Sequence, residues 1–308
     1  MSWDPTMDST QNSSGPEARQ YLVGWVDVLG QSDELKKLGG QKTSDGELRA
    51  QLLRTVGRVQ STRTLIRRML NSQCKEWLEH PMLGADPKLQ GMSAGEKLRV
   101  LGIEGGVIFL SDAFLFYAPL ERADGQVSTN VRLVLDSVSA LMILSMAEGV
   151  PLRGGLEIGL AATMAEGDLY GYPCFRAFQL EATVAEYPRI VVGEKLMDYL
   201  QVPPSAKAGP IEDWPLERRR FFARWMQPLL LKDPDDGSVT LDYLGEFLRK
   251  NVLGGPQEKE WRKAVGKGMA FIRNKHRQLL EGTDCQDLSE EKRRKLALKY
   301  SRLKRYWR

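Results

Sequence analysis

The chain has 308 residues, a hydrophobic fraction of 42% and a formal net charge of +4. That is enough for one large or two modest domains with a real core, and no uninterrupted apolar run reaches the roughly 18 residues that a bilayer crossing needs. Three widely spaced cysteines and two histidines exclude a disulfide scaffold, argue against a zinc site and favour a reducing, cytoplasmic setting.

Residues 1–19 are polar, rich in Ser, Pro and Asp, and read as a disordered leader rather than a signal peptide. Tyr21-Leu22-Val23-Gly24-Trp25-Val26-Asp27-Val28-Leu29-Gly30 then reads as a buried strand that ends in one Asp and meets a glycine. Residues 31–46 read as a polar loop or a loop plus a short helix, and 48–79 as a long amphipathic helix in which Leu52, Val56, Val59, Leu65 and Leu70 recur at near-helical spacing. Its arginines (Arg54, Arg58, Arg63, Arg67, Arg68) read as a solvated or dimer-facing surface before a phosphate reader. Strands are expected over 98–103 and 107–120. The second of these is Val107 to Leu110, Ser111-Asp112, Ala113 to Tyr117: two apolar strands joined by a two-residue turn with a carboxylate at its tip.

Residues 129–146 predict a helix apolar on most of its surface. Residues 152–160 predict a strand interrupted by glycines, 172–186 a helix, 189–193 a short buried strand and 194–200 a short helix. Residues 203–210 read as a linker. Beyond it, 214–230 is read as helical, 238–248 as a strand or short helix, and 259–280 and 288–307 as helices. The expected architecture is α+β: a mostly antiparallel sheet flanked by helices over 20–202, with a mainly helical extension over 203–308.

An ionised carboxylate at the end of a buried strand is costly unless it meets water, donors or a cation. Asp27 and Asp112 both stand in that position, and a pair of hard oxygen ligands suits a divalent metal. Each has a plainer reading alone, Asp112 as a turn residue and Asp27 as a helix cap. Asp233-Pro234-Asp235-Asp236-Gly237 has the composition of a calcium loop but not its spacing, and reads as a tight turn. Residues 292–308 hold nine Lys or Arg and no acid, with Tyr300, Tyr306 and Trp307 among them. Leu296, Leu298 and Leu303 favour a packed helix clasping the rest of the chain over a nucleic-acid tail.

Five segments in order carry a resemblance. Val26-Asp27-Val28-Leu29-Gly30 is similar to the first-strand motif of class III nucleotide cyclases, and Leu110-Ser111-Asp112-Ala113-Phe114 to their hairpin Gly-Asp motif with Ser in the Gly place. Arg153-Gly154-Gly155-Leu156-Glu157-Ile158-Gly159, Leu169-Tyr170-Gly171 with the helix that follows, and Arg189-Ile190-Val191-Val192 match the later motifs. Ser111-Asp112, Arg153-Gly154-Gly155 and Tyr187-Pro188-Arg189-Ile190-Val191-Val192 most resemble the pyrimidine cyclases of bacterial Pycsar anti-phage systems.

The resemblance implies cyclisation of UTP, or alternatively CTP, to the 3′,5′-cyclic monophosphate with two Mn²⁺ or Mg²⁺ ions. It also implies a homodimer and a product that acts on a separate effector protein. It implies metal ligation by Asp27, the Val28 carbonyl and Asp112. The turn Leu29, Gly30, Gln31 and Ser32 would cradle the β- and γ-phosphates with backbone N–H groups. Ile108 stands where purine cyclases carry a base-reading Lys or Glu, which favours a pyrimidine. The family's Asn and Arg of the helix after Gly171 are replaced by Phe175 and Gln179; either Arg176, the nearest cation, or another arginine takes the transition-state role, or this chain works differently. A non-catalytic nucleotide sensor and a nucleic-acid-binding protein are the rival readings. Arg153 is read as packed along its strand before a phosphate contact.

Overall fold

A computed structural model describes residues 18–31, 45–79, 92, 105–120, 130–164, 168–200, 226–245, 258–283 and 288–307. The expected strand over 98–103, the linker over 203–210, most of the helix over 214–230, Ser32 and leader residues 1–17 lie outside them.

The first strand, β1 (Ala18–Val28), begins two residues inside the expected leader. It is buried on both faces. Leu22, Val26 and Val28 enter the main core, while Tyr21, Val23 and Trp25 join a smaller cluster on the other side. A strand covered on both sides reads as a continuous apolar run, which is why β1 shows no alternation. It is followed by α1 (Asp45–Glu79), β2 (Gly106–Leu110), β3 (Ala113–Pro119), α2 (Asn130–Ala147) and β4 (Leu152–Thr163). β1 lies between β3 and β4 and is antiparallel to both, with β2 outside β3. This is a split βαβ arrangement, in which each half contributes one crossover helix. Α+β architecture with a mostly antiparallel, mixed sheet is therefore what the sequence predicts.

Helix α2 is long and apolar enough by length and composition to cross a membrane, yet it is a core helix, with Leu135, Val138, Leu141, Met142 and Met146 buried in the centre of the fold. β4 is not interrupted by its glycines. Gly154 and Gly155 instead permit close approach: a Cβ on Gly155 would lie 2.3 Å from the Ala177 carbonyl, and one on Gly154 2.4 Å from that of Trp25.

β5 (Leu169–Gly171) pairs with the end of β4 and leads into α3 (Tyr172–Thr183), with Pro173 in its first turn. α3 ends at Thr183, three residues earlier than expected. β6 (Ile190–Val192) runs parallel to β4 and is followed by α4 (Glu194–Leu200). The buried Glu157 carboxylate accepts from Leu196 N–H at 3.0 Å, satisfying one of the open donors at the start of α4.

The C-terminal part adds to the sheet as well as to the helices. β7 (Leu230–Lys232) and β8 (Val239–Leu241) form a hairpin, and β8 pairs with β6, so the sheet runs β2-β3-β1-β4-β6-β8-β7. Leu230 is thus a strand residue rather than the end of a helix. α5 (Glu258–Glu281) packs on α2, and α6 (Glu290–Tyr306) on α5. The Asp233–Gly237 segment is the hairpin turn, not an ion loop. Arg189 donates to Asp233 at 2.9 Å and Asp236 at 2.6 Å, and Arg302 and Arg305 pair with Asp235. The basic C-terminal helix therefore clasps this same chain, closed by Tyr306 to Asp242 at 2.8 Å and the Trp307 indole to the Tyr243 hydroxyl at 3.2 Å.

Candidate active site

Strand pairing brings the two predicted aspartates together. Leu110 and Ala113 close the β2–β3 hairpin, so Ser111 and Asp112 are its two turn residues. Ala113 in turn pairs with Asp27. Paired residues on neighbouring strands lie about 5 Å apart, so Asp112, one residue on, sits beside Asp27 at the strand ends. Ser111 has φ 50° and is the one described non-glycine residue at positive φ. Only the first central residue is left-handed, the pattern of a hairpin turn that favours glycine there. The Arg63 guanidinium of α1 donates to the Ser111 carbonyl at 2.8 Å. Arg63 and Arg67 both lie over the Phe109 ring. Two arginines of the α1 face therefore hold the hairpin, where the sequence pointed to a solvated or dimer-facing surface.

Across the sheet from Asp27, in the other direction, stands Arg153. Its Nε is 2.5 Å from Glu181 Oε1 of α3, an ion pair without an aligned hydrogen bond. Glu181 is 3% exposed. The site is thus a row of Asp112, Asp27 and Arg153 along the strand ends, with Glu181 reaching over it from the helix. Burial, reinforced by the Glu181 and Asp112 charges, pushes the Asp27 carboxyl up to about 7, against the pull of Arg153 and the Val28 N–H. Burial also raises Glu181; Arg153 opposes that rise and Asp112 adds to it.

The remaining predicted residues are less united. The Leu29 N–H is taken by the Pro151 carbonyl at 2.9 Å, so it cannot serve a phosphate; Gly30 has φ 88° and makes the turn. Gln31 is buried, and its side-chain oxygen has no hydrogen-bond partner among the described residues. Ile108 packs on the smaller cluster with Leu115, on the α3 side of the sheet. Arg176 is not brought to the aspartates. It donates to Gln179 at 2.8 Å and acts on Glu157, and Glu157 lies four residues along β4 from Arg153, roughly 13 Å. Phe175 is exposed.

Sequence reasoning missed Glu181 and undervalued Arg153. The signal for Glu181 was present: Pro173, Ala177 and Glu181 recur every four residues and form the buried stripe of α3. An acid on such a stripe needs a charged neighbour, and Arg153 is that neighbour.

Among the described residues no group of three or more His, Cys, Asp or Glu is arranged to hold a metal ion. Asp27 and Asp112 remain a pair, with Glu181 committed to Arg153. A pair of hard oxygen donors fits Mg²⁺ or Mn²⁺, which keep water or substrate phosphate in their other positions. The mutual repulsion of the acids is the feature a divalent cation would relieve. No family model matches the chain, and no curated protein matches its sequence.

Proposed function

We propose that the chain is a pyrimidine nucleotide cyclase, converting UTP to 3′,5′-cyclic UMP and pyrophosphate. The observation that carries the reading is the juxtaposition of Asp27 and Asp112 at adjoining strand ends, with Asp27 pushed up to about 7 by burial and by its acidic neighbours. In the reaction the 3′-oxygen bonds to the α-phosphorus, the bond from that phosphorus to the β-phosphate bridge oxygen breaks, and the 3′-hydroxyl proton leaves. Bound divalent ions would supply acidification of that hydroxyl and neutralise the phosphate charge.

The chain's own residues do the rest. Asp27 and Asp112 provide the anionic pair that positions the cations, with the Val28 carbonyl beside them. The turn at Gly30 and Gln31 faces the phosphates, and Arg153 offsets negative charge at the far end of the row. Ile108 offers a purine no hydrogen-bonding group.

Dimerisation would cover Leu160, Met164, Tyr170, Tyr172, Phe175 and Phe178, all exposed around β4, β5 and α3. The enzyme would act in the cytoplasm, and its product on a separate effector protein, in anti-phage defence.

The test is incubation of the pure protein with each of the four ribonucleoside triphosphates and Mn²⁺, followed by chromatography. UTP is expected to yield cyclic UMP, and Asp112→Ala, with an unchanged circular dichroism spectrum, none. Product undiminished in that variant ends the proposal. The one observation favouring a second reading, a sensor without turnover, is that Arg176 pairs with Gln179 rather than facing the aspartates. That reading expects thermal stabilisation by nucleotide with no cyclic product. Product from CTP alone would change the base and keep the chemistry.

A further inference from the structure

Serine is an awkward residue for position 111. The β2–β3 hairpin has two turn residues, Ser111 and Asp112, and of the two only Ser111 has positive φ, at 50°. A two-residue hairpin turn with that pattern is type II′, which favours glycine at its first position. Turning over the peptide that joins the two residues would give type I′, where both have positive φ and Asp is well tolerated. That peptide carries the Ser111 carbonyl. The Arg63 guanidinium donates to this oxygen at 2.8 Å, so it engages a group whose direction reverses between the two turns. Arg63 is itself held. Its guanidinium lies over the Phe109 ring, 5.4 Å from the centroid, and Ile66, Met69 and Leu70 anchor the same stretch of α1 in the main core.

We propose that Arg63 is a positioning residue for Asp112: by holding the Ser111 carbonyl it keeps the hairpin in the turn that stands Asp112 beside Asp27. The proposal rests on the cyclase reading for the use made of the aspartate pair. With serine in the turn, the backbone alone would favour the overturned peptide, because the first position of type II′ suits glycine and strains other residues. Overturning the peptide would re-aim Asp112 and split the pair. A hydrogen bond from a charged donor is roughly twice as strong as a neutral one, which suits it to oppose that preference. Helix α1 would thereby set the spacing of two carboxylates that it does not carry, and with it the affinity for cations.

The experiment uses the full chain and two readouts: Mn²⁺ binding followed by electron paramagnetic resonance, and the Mn²⁺ dependence of cyclic UMP formation. Arg63→Ala is expected to weaken Mn²⁺ binding about tenfold, the effect of one lost hydrogen bond from a charged group. The Mn²⁺ concentration for half-maximal turnover should rise by a similar factor, with the rate at saturating Mn²⁺ much less changed. Ser111→Gly in that background should restore both, since glycine favours the same turn unaided. Should Arg63→Ala not fold, Arg63→Met, which keeps an apolar side chain beside Phe109, replaces it. Arg54→Ala, which removes an exposed arginine of α1 about two and a half turns earlier, should change neither. Unchanged Mn²⁺ affinity without Arg63, or a loss that Ser111→Gly does not restore, overturns the proposal and leaves the cyclase reading standing. Restorable, Arg63-dependent binding in a protein that makes no cyclic product from any nucleotide supports the positioning role and ends the cyclase reading. No Mn²⁺ binding by the wild type overturns the proposal.

Discussion

Replacing Asp27 by Asn tests the electrostatics of the site without any assumption about substrate. The folded chain holds the Asp27 proton up to about pH 7, whereas the unfolded chain releases it near 3.8. Between those values the folded state binds more protons, so this group makes stability fall as pH rises. The full difference corresponds to about 4 kcal/mol against the ionised form above pH 7, and it already includes the favourable pull of Arg153 and the Val28 N–H. Asn cannot ionise and removes that penalty. In EDTA at pH 8.5, Asp27→Asn should therefore be more stable than the wild type by up to about 4 kcal/mol. In a chain of this size that is a Tm gain of up to about 8 °C. The gain should shrink below pH 7 and vanish near pH 4. The assay is thermal or urea unfolding of both proteins across pH 4–8.5. Parallel pH profiles, or no gain at pH 8.5, would show that Asp27 is not crowded by Glu181 and Asp112 and would remove the basis for the cation site.

Gly155→Ala should destabilise the fold by about 1–3 kcal/mol, because its Cβ would stand 2.3 Å from the Ala177 carbonyl; displaced α3 would also take Glu181 from Arg153, so under the proposed function turnover of UTP should fall with stability. Denaturant titration beside the UTP assay checks both, and an unchanged midpoint would refute the packing argument. Arg189→Met should cost about 3–5 kcal/mol by leaving the buried Asp233 carboxylate without its cation, while the exposed Asp236 loses its ion pair as well. Burial alone would raise Asp236, but hydrogen bonds from Arg189 and Ser238 outweigh it and hold the acid well below its usual range. That stabilisation is present above about pH 4 and lost as the acid protonates, so the cost of Arg189→Met should lessen in acid. Urea unfolding at pH 7 and pH 3 reads this, and equal costs at the two would contradict it.

The hairpin and the two aspartates at the strand ends were legible because their signals are local. An apolar run broken by Ser111-Asp112 admits few other structures, and Asp27 before Gly30 marks a strand end. The glycines of β4 were misread for a related reason. A run of glycine weakens a strand locally, and only the tertiary contacts of Ala177 and Trp25 show why the chain keeps them. Glu181 was hidden because its partner Arg153 is nearly thirty residues away and joined to it through packing. β7 and β8 are three residues each and take their meaning from Val191, paired with Thr240; no short window of sequence carries that pairing. Arg176 is the remaining lesson, since proximity to a motif in sequence put it forward while the helix turns it toward Glu157.

The place where β8 joins β6 bears on how the protein can be cut. Composition changes near residue 203, and trimming there is a natural way to isolate the N-terminal part. Such a fragment would lose the hairpin that shields Val191, and Arg189 would lose both of its acids. It would also strip Leu241, Tyr243 and Trp307 from the hydrophobic interior. An uncovered strand edge of Ile190, Val191 and Val192 is a template for self-association, so the shortened protein should come out of the cell as aggregate while the full chain stays dispersed.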